Sequence, residues 1–170
     1  NDGRYGIGSA RSGTTTAGLV FGGNEGAGPT NYTRSNKSEE YNGTSWSEGN
    51  ELNTGRDSVS GLGTQTAGLA MCGYTSDPTR VDETETYNGT SWTEVADHPQ
   101  NVTQQAGFGT QTAGIVAGGN TGSLSAETDS FDGSSWTEVA ELNTARSDSA
   151  AAGTSTAGLY ITGLKAGPAA

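Results

Sequence analysis

The chain has 170 residues, of which 30% are apolar and 28 are glycine, and its formal net charge is −11. This length can bury one ordinary core, but apolar content this low approaches that of disordered chains, so we expect order to come from repetition. Eight lysines and arginines are too few for the basic face that binds nucleic acid or an anionic membrane. No apolar run approaches the ~18 residues of a membrane helix. A single cysteine excludes an internal disulfide framework.

Two sequence strings alternate along the chain. The first reads GTTTAGLVFGG and begins at Gly13, with later copies beginning at Gly63, Gly109 and Gly153. The second reads EEYNGTSWSEG and begins at Glu39, with later copies beginning at Glu85 and Asp129. Successive starts of the first string are 50, 46 and 44 residues apart. This period is longer than a hairpin and shorter than a domain, which is typical of a repeated unit of several strands.

The length of the unit varies in one segment only. From each aromatic of the second string to the last glycine of the next first string, the distance is always 32 residues. From that glycine to the following aromatic, the distance is 18, 14 or 12 residues. Packed scaffold tolerates no insertion, whereas surface loops change length freely. We therefore expect segments 24–40, 74–86 and 120–130 to be loops on one face.

Strands can be placed within each unit. The segment TAGLVFGG is a nearly continuous apolar run that stops at glycines, which indicates a buried strand. Asn42-Gly43 predicts a two-residue type I′ turn between two further strands, because both positions of such a turn need a positive φ. The segment before each Gly-Thr, such as SVSGL, supplies a fourth strand. No segment has helical periodicity.

The order of these features resembles the kelch repeat: a glycine pair, a variable loop, an acidic residue near an aromatic, a tryptophan, and then leucine and arginine. In the first copy these residues are Gly22, Gly23, Glu39, Tyr41, Trp46, Leu52 and Arg56. The resemblance implies an all-β fold of kelch-like β-propeller blades, each with four antiparallel strands. A single domain, 1–170, would then contain repeat units 8–56, 57–102 and 103–146 and a partial unit 147–170.

This count gives about three and a half blades and leaves an open strand edge. The resemblance therefore implies completion by oligomerisation or by a longer chain, and the start at NDGRYG indicates a fragment or processed chain. A tryptophan at a fixed place in every copy is expected to fill the gap between blades, rather than to stack on a sugar. The structural residues that the repeat implies are Tyr41, Trp46, Arg56, Tyr87, Trp92, Phe131, Trp136 and Arg146.

The middle copy departs from the pattern at three positions. Cys72 replaces the first glycine of the pair and is predicted to be a small residue at a tight strand end. His98 replaces the leucine and is predicted to be half-buried. Val102 replaces the arginine, so this copy lacks the ion pair predicted for the other arginines. The predicted partners are the acidic residues two positions after each tryptophan, namely Glu48, Glu94 and Glu138.

The sequence lacks the residues that two families of enzymatic propellers use for catalysis. One histidine cannot complete a galactose-oxidase-like copper centre. The turn SFDGSSW approaches a sialidase motif, but its Asp and Gly are adjacent, as in an ordinary hairpin. The pair Asp82-Glu83 has no Ca²⁺-loop spacing and is predicted to be solvated. We predict no catalytic residue, metal or cofactor. Asn-glycosylation triplets occur at Asn31, Asn36, Asn42, Asn88 and Asn101, as chance alone produces in so polar a chain.

The sequences GTQTAGLA and YNGTSWTEV also resemble Thr/Gly-rich repeats of virion structural proteins of tailed bacteriophages. That resemblance implies a non-enzymatic structural or adhesion protein on the virion surface, such as a tail fibre, tail appendage or capsid decoration. Its expected partners are further copies, other virion proteins or a cell-surface glycan. If the loops bind a ligand, the expected contacts are Tyr32, Arg34, Tyr74 and Arg80. The alternatives are a secreted bacterial propeller that binds carbohydrate or matrix, and an extracellular filament subunit assembled by strand donation.

Overall fold

A computed structural model describes residues 3–26 and 33–165. Within these residues the regular elements are all β-strands, which confirms the all-β prediction. The described residues contain no helix long and apolar enough to cross a membrane.

The described residues form three four-stranded antiparallel sheets, in each of which the strands follow chain order. Sheet A contains β1 (Gly8–Ser9), β2 (Gly18–Phe21), β3 (Ser38–Tyr41) and β4 (Trp46–Glu48). Sheet B contains β5 (Ser60–Thr64), β6 (Ala67–Ser76), β7 (Thr79–Tyr87) and β8 (Trp92–Glu94). Sheet C contains β9 (Ala106–Thr110), β10 (Ala113–Ala117), β11 (Thr128–Phe131) and β12 (Trp136–Glu138).

The last described strands form two smaller sheets. Strands β14 (Ala150–Thr154) and β15 (Ala157–Ile161) form a two-stranded unit, called hairpin D below, and β13 (Arg146–Ser147) pairs with β16 (Leu164–Lys165). The predicted four-stranded antiparallel units are therefore present as sheets A, B and C. Their arrangement as blades of a propeller stays a prediction.

The hydrophobic core is divided between the junctions of neighbouring sheets. Strand β5 lies beside both β1 and β9, and β9 also lies beside β14. The junction of sheets A and B buries Ala10, Leu19, Phe21, Leu52, Val59, Ala70, Tyr87 and Trp92. The junction of sheets B and C buries Leu62, Leu69, Met71, Cys72, Val102, Val116 and Phe131. Neighbouring sheets thus bury the side chains between them, which explains how so few apolar residues can order the chain.

The three tryptophans occupy the same place in their sheets but differ in exposure. Trp92 packs edge-on against Phe21 of sheet A with ring centroids 5.0 Å apart, and only 6% of it is exposed. Trp136 packs in the same way against His98, which follows sheet B, at 4.8 Å. Trp46 contacts Tyr41 of its own sheet and is 42% exposed. The tryptophan therefore contacts the preceding sheet wherever one is described.

Polar contacts also join neighbouring sheets. The side-chain amide of Gln111 in sheet C donates to the carbonyl oxygens of Gly68 and Tyr87 in sheet B, at 2.8 and 2.9 Å. Gln65 in sheet B makes the corresponding bond to the Tyr41 carbonyl at 3.2 Å. The Tyr87 hydroxyl donates to the Glu40 carboxylate of sheet A. The glutamine of each GTQT string therefore has a structural role, since its side chain bonds to the preceding sheet.

The hairpin at Asn42 and Gly43 is confirmed, but the predicted turn type is wrong. Tyr41 pairs with Trp46, so the loop has four residues, and only Gly43 has a positive φ there, at 95°. The Asn42 side chain accepts hydrogen bonds from the backbone N–H groups of Thr44 and Ser45, both at 3.0 Å. This Asx cap replaces the backbone bond of a type I′ turn, which is why Asp132 can serve in sheet C.

The second predicted loop, 74–86, is mostly strand. Strand β6 continues to Ser76, and β7 begins at Thr79, leaving Asp77 and Pro78 as the connection. Tyr74 pairs directly with Arg80 across these strands. Strands β6 and β7 thus continue as a two-stranded hairpin beyond the residues that pair with β5 and β8. The variable segment therefore places some side chains on rigid strands.

Candidate functional site

Two of the predicted contact residues, Arg34 and Tyr74, line one depression of about 220 Å³. Its other lining residues are Tyr5, Asp57, Ser58 and Asp77. Tyr5 precedes β1, Arg34 precedes β3, Asp57 and Ser58 lie between β4 and β5, and Asp77 is in the β6–β7 turn. The depression therefore lies where the connections of sheets A and B meet. Tyr32 lies outside the described residues.

Arg34 is held at the base of the depression. Its Nε lies 2.9 Å from Oδ2 of Asp57, and both side chains are nearly buried. Asn24, which is fully buried, bridges to the backbone of both Tyr5 and Arg34. The Asn24 side-chain oxygen also accepts from the backbone N–H of Thr33 at 3.1 Å. These contacts fix the guanidinium position before any ligand arrives, which lowers the entropic cost of binding.

Tyr74 is fixed from the opposite side. Its backbone exchanges two hydrogen bonds with Asp57, at 2.8 and 3.1 Å. The Arg80 guanidinium lies 5.2 Å from the centre of the Tyr74 ring, within the range of a cation–π contact. Arg80 also donates to the Asn120 side chain at 3.4 Å, which reaches sheet C. Arg80 thus supports Tyr74 and is not among the residues that line the depression.

The depression offers a particular set of groups. Tyr5 is half-exposed and Asp77 is exposed, so an aromatic ring and a carboxylate face solvent beside the buried Arg34–Asp57 pair. Its volume is below the usual 300–1,000 Å³ of pockets that enclose a drug-sized ligand. The arrangement can therefore hold one small polar ring or side chain through stacking and hydrogen bonds. Sequence reasoning missed Tyr5 because it precedes the first repeat string.

A larger depression of about 620 Å³ lies beside the β10–β11 connection. Leu124 and Glu127 of that connection line it, together with Gln100, Asn101 and Glu141 from the segments after β8 and β12. Arg34, Tyr74 and Arg80 are not among the residues that line it. The only sequence signal for it is an isolated leucine within the polar loop TGSLSAE.

The second cluster of charged residues is buried within the fold. Arg56 is fully buried, and its Nη2 donates to Oε1 of Glu85 at 2.6 Å while Nη1 donates to the Glu83 carbonyl at 2.7 Å. Burial raises the pKa of Glu85, whereas the backbone N–H of Asn53 and the Arg56 guanidinium oppose that rise. The predicted pairing with the carboxylates after each tryptophan is wrong. Glu48, Glu94 and Glu138 are exposed, and each is the last residue of the outermost strand of its sheet.

Sheet A contains the same kind of pair, which sequence reasoning missed. Arg4 forms a short ion pair with Glu39, and both side chains are largely buried. Glu39 lies two residues before Tyr41, as Glu85 lies two residues before Tyr87. Tyr5, the residue after Arg4, bridges to Asn24 as Asp57 bridges to Tyr74. Arg4 is thus the counterpart of Arg56, hidden in the sequence because two extra residues separate it from its Gly-Thr string.

Sheet C substitutes a histidine for the arginine. Nε2 of His98 lies 3.2 Å from Oδ2 of Asp129, the carboxylate two residues before Phe131. Burial lowers the His98 pKa, but the hydrogen bond to Asp129 and the neighbouring Cys72 outweigh it and raise the pKa to about 10. The imidazole is therefore protonated at neutral pH. His98 was predicted to be half-buried, but it is fully buried because its charge is paired.

Arg146 follows a different pattern. It donates to the carbonyl oxygens of Thr162 and Thr144, at 3.0 and 3.3 Å, and forms no ion pair with a carboxylate of the described residues. The Thr162 contact matches that of Arg56 with the Cys72 carbonyl, at 3.3 Å. Arg146 is thus oriented like Arg56, without the acidic partner that Arg56 has.

Cys72 was predicted to lie at a strand end, but it lies within β6, at an irregularity in the pairing with β7 between Met71 and Gly73. It is fully buried and has φ of 58°, close to the φ of 64° and 68° at its counterparts Gly22 and Gly118. Its thiol lies 3.9 Å from the Gln100 carbonyl and adjoins the His98–Asp129 pair. These three side chains are all buried, so the arrangement acts as a packed ion pair beside a thiol. The described residues contain no group of three His, Cys, Asp or Glu side chains placed to hold a metal.

Comparison with known proteins does not assign the chain to a family. No protein-family model matches the sequence, and no curated protein is similar to it.

Proposed function

We propose that this protein is a non-enzymatic structural or adhesion protein of a virion surface, assembled with neighbours through the open ends of its row of kelch-like blades. One observation carries the assembly part of the proposal. Side chains that are buried inside the row are exposed at both of its ends. Trp46 is 42% exposed where Trp92 is 6% exposed, and Leu159 is 61% exposed where Leu69 is fully buried.

This exposure is costly for an isolated chain. Leu159, Ile161 and Leu164 are all exposed at the hairpin D end, and Tyr5 and Ile7 are exposed near sheet A. Covering apolar surface stabilises by about 25 cal/mol per Å², so a neighbouring subunit at either end is favoured. The net charge of −11 opposes indiscriminate association and leaves the apolar ends as the preferred contacts. The virion assignment is supported by the resemblance of the repeat sequences to Thr/Gly-rich repeats of bacteriophage virion proteins.

Immunogold electron microscopy of the native source tests this proposal. Antibodies raised against the folded chain are expected to label tails, fibres or capsids of intact particles. Labelling of bare filaments would support the filament alternative instead. Recovery of the protein only as a monomer free of particles would contradict both assembly proposals.

A second candidate function, carbohydrate binding, is favoured by the depression at Arg34 and Tyr74. Sugars are bound by an aromatic face together with fixed hydrogen-bonding groups, and this depression provides both. A glycan array probed with the labelled protein is expected to give a signal that Tyr74→Ala or Tyr5→Ala removes. Tyr5→Phe is the matched control, since it keeps the ring and loses only the hydroxyl. An array that is blank, or that is unchanged by all three substitutions, would contradict this function.

A further inference from the structure

Hairpin D has a strand edge that no described residue covers. Strand β15 pairs with β14 along its whole length, from Ala157 to Ile161, and its other edge has no partner in the described chain. In sheets A, B and C the corresponding strands β2, β6 and β10 are central, with a third strand on that edge. An edge of this kind offers backbone N–H and C=O groups to an added strand.

The third strand of each complete sheet shows which sequence fits such an edge. Its four paired residues are a serine or threonine, an acidic residue, a variable residue and an aromatic. They are Ser38–Tyr41 in sheet A, the last four residues of β7 in sheet B, and Thr128–Phe131 in sheet C. The aromatic always pairs with a glycine of the central strand, at Gly18, Gly68 and Gly114. Gly158 of β15 is the corresponding glycine.

A depression of about 250 Å³ lies beside this edge. Leu142, Arg146 and Tyr160 line it, with Asn143 and Thr144. At the junction of sheets A and B, the counterparts Leu52 and Arg56 are covered by Tyr87, Trp92 and Glu85. The depression is therefore lined by the residues that elsewhere contact the acid and the aromatics of the third and fourth strands.

We propose that the outer edge of β15 accepts an extended strand of a partner polypeptide with the pattern Ser/Thr, Asp/Glu, any residue, Tyr/Phe. The acidic residue would pair with the Arg146 guanidinium, and the aromatic would lie over Gly158 beside Leu142. Charge complementarity supports this partner, because Arg146 is oriented like Arg56 and the described residues provide no carboxylate for it. This inference deepens the proposed assembly function and rests on it.

Other occupants fit less well. Residues 166–170 read AGPAA and contain neither an acidic residue nor an aromatic. A second copy of this chain already uses its three matching strands within sheets A, B and C, so donating one would break a complete sheet. A separate segment of the stated pattern requires no such rearrangement.

The probe is a fluorescent, end-capped peptide with the sequence of residues 127–138, ETDSFDGSSWTE, which contains the pattern and its following strand. We expect saturable binding to the full 170-residue chain, measured by fluorescence anisotropy. Bound peptide should slow amide hydrogen exchange at Ala157–Ile161. The peptide with Asp129→Asn, and the protein with Arg146→Gln, should each bind at least about tenfold more weakly, and the two losses should not add.

Lys165→Gln is the matched control, because Lys165 pairs with Arg146 between β13 and β16 and carries the same charge. It should change the affinity by less than about threefold. Equal weakening by Lys165→Gln would mean general charge attraction and would overturn the proposal. Absence of saturable binding would also overturn it. The peptide variant needs no change in the protein, so misfolding of Arg146→Gln leaves the test intact. Failure here leaves the particle-labelling result for the proposed function unaffected.

Discussion

His98 Nε2 lies 3.2 Å from Asp129 Oδ2, and this pair provides in sheet C what Arg56 and Glu85 provide in sheet B. The histidine comes from a different position of the unit, where the other copies have leucine. Val102 occupies the position of the arginine. The two departures of the middle copy are therefore one compensated exchange. Valine alone would leave Asp129 buried without a cation, and histidine alone would place a second cation beside it.

The His98 pair predicts a stability that depends on pH. The folded pKa of about 10 exceeds the usual 6.5, so the stabilisation is complete below about pH 6.5 and is lost as the pH rises towards 10. The free energy of unfolding should fall by on the order of 4 kcal/mol over that range, measured by urea denaturation. Because Cys72 and Asp129 face the imidazole, Cys72→Ala serves as the control for thiol titration. His98 is the only histidine, so His98→Leu should abolish the slope from pH 6.5 to 8. A slope retained in that variant would contradict the assignment.

The exchange should also be reversible by substitution. His98→Leu alone should lower the free energy of unfolding by about 3–5 kcal/mol, because it leaves the Asp129 carboxylate buried and unpaired. Val102→Arg added to it should restore at least about half of that loss, by recreating the arrangement of Arg56. Asp129→Glu can be added to give the carboxylate the reach of Glu85. Double-mutant analysis should show that Val102→Arg destabilises the natural chain and stabilises the His98→Leu chain. The same effect in both backgrounds would refute the compensation.

Arg56 and Arg146 hold the same place in the repeat but should differ in importance. Arg56→Met removes the cation from a fully buried pair and should cost about 3–5 kcal/mol. Arg146→Met loses bonds to two carbonyl oxygens at a partly exposed site and should cost less than about 1 kcal/mol. Chemical denaturation of the two variants, each compared with the natural chain, measures the difference. Similar losses would mean that Arg146 has an acidic partner in the isolated chain.

The backbone conformation of Ser58 predicts a difference in stability between two substitutions. Its φ is 53°, in the left-handed region, and its counterpart in sheet A is Gly6 with φ of 64°. The Ser58 N–H donates to the Gly6 carbonyl at 2.7 Å, so the conformation is fixed by the contact between sheets. Ser58→Gly should be about 1 kcal/mol more stable than Ser58→Ala, because alanine keeps the Cβ that disfavours this conformation. Thermal unfolding of the two variants provides the comparison, and an alanine variant as stable as the glycine variant would refute it.

Local signals predicted the secondary structure well. Apolar runs that stop at glycines gave β2, β6, β10 and β15, and the Asn-Gly and Asp-Gly pairs gave the hairpins that end at Trp46, Trp92 and Trp136. Both signals depend on residues near one another in the chain. The turn type was wrong because the Asn42 side chain, and not the backbone alone, caps the loop. The 74–86 loop prediction was wrong because a segment whose length varies between copies can still form strands, as β6 and β7 do.

Ion pairs between residues far apart in the chain could not be predicted from the sequence. Arg4 and Glu39 are 35 residues apart and Arg56 and Glu85 are 29 apart, so no local pattern joins them. The carboxylate two residues before each aromatic occurs in all three copies, but its meaning depends on which cation the fold brings to it. The depression at Arg34 and Tyr74 likewise requires Tyr5 and Asp57 from two other segments. Candidate contacts could be named from the sequence, but their convergence could not.

The sequence by itself determined that this chain is built of repeated β units, because strand and turn formation depend on neighbours within a few residues. Its net charge of −11 argues against binding to nucleic acid or an anionic membrane, and its one histidine argues against a galactose-oxidase-like copper centre. Only the tertiary structure decided which side chains are buried between sheets, because that burial depends on contacts some 30 to 45 residues away. It placed His98 beside Asp129 and left the outer edge of β15 uncovered among the described residues, as the spatial order of the sheets requires.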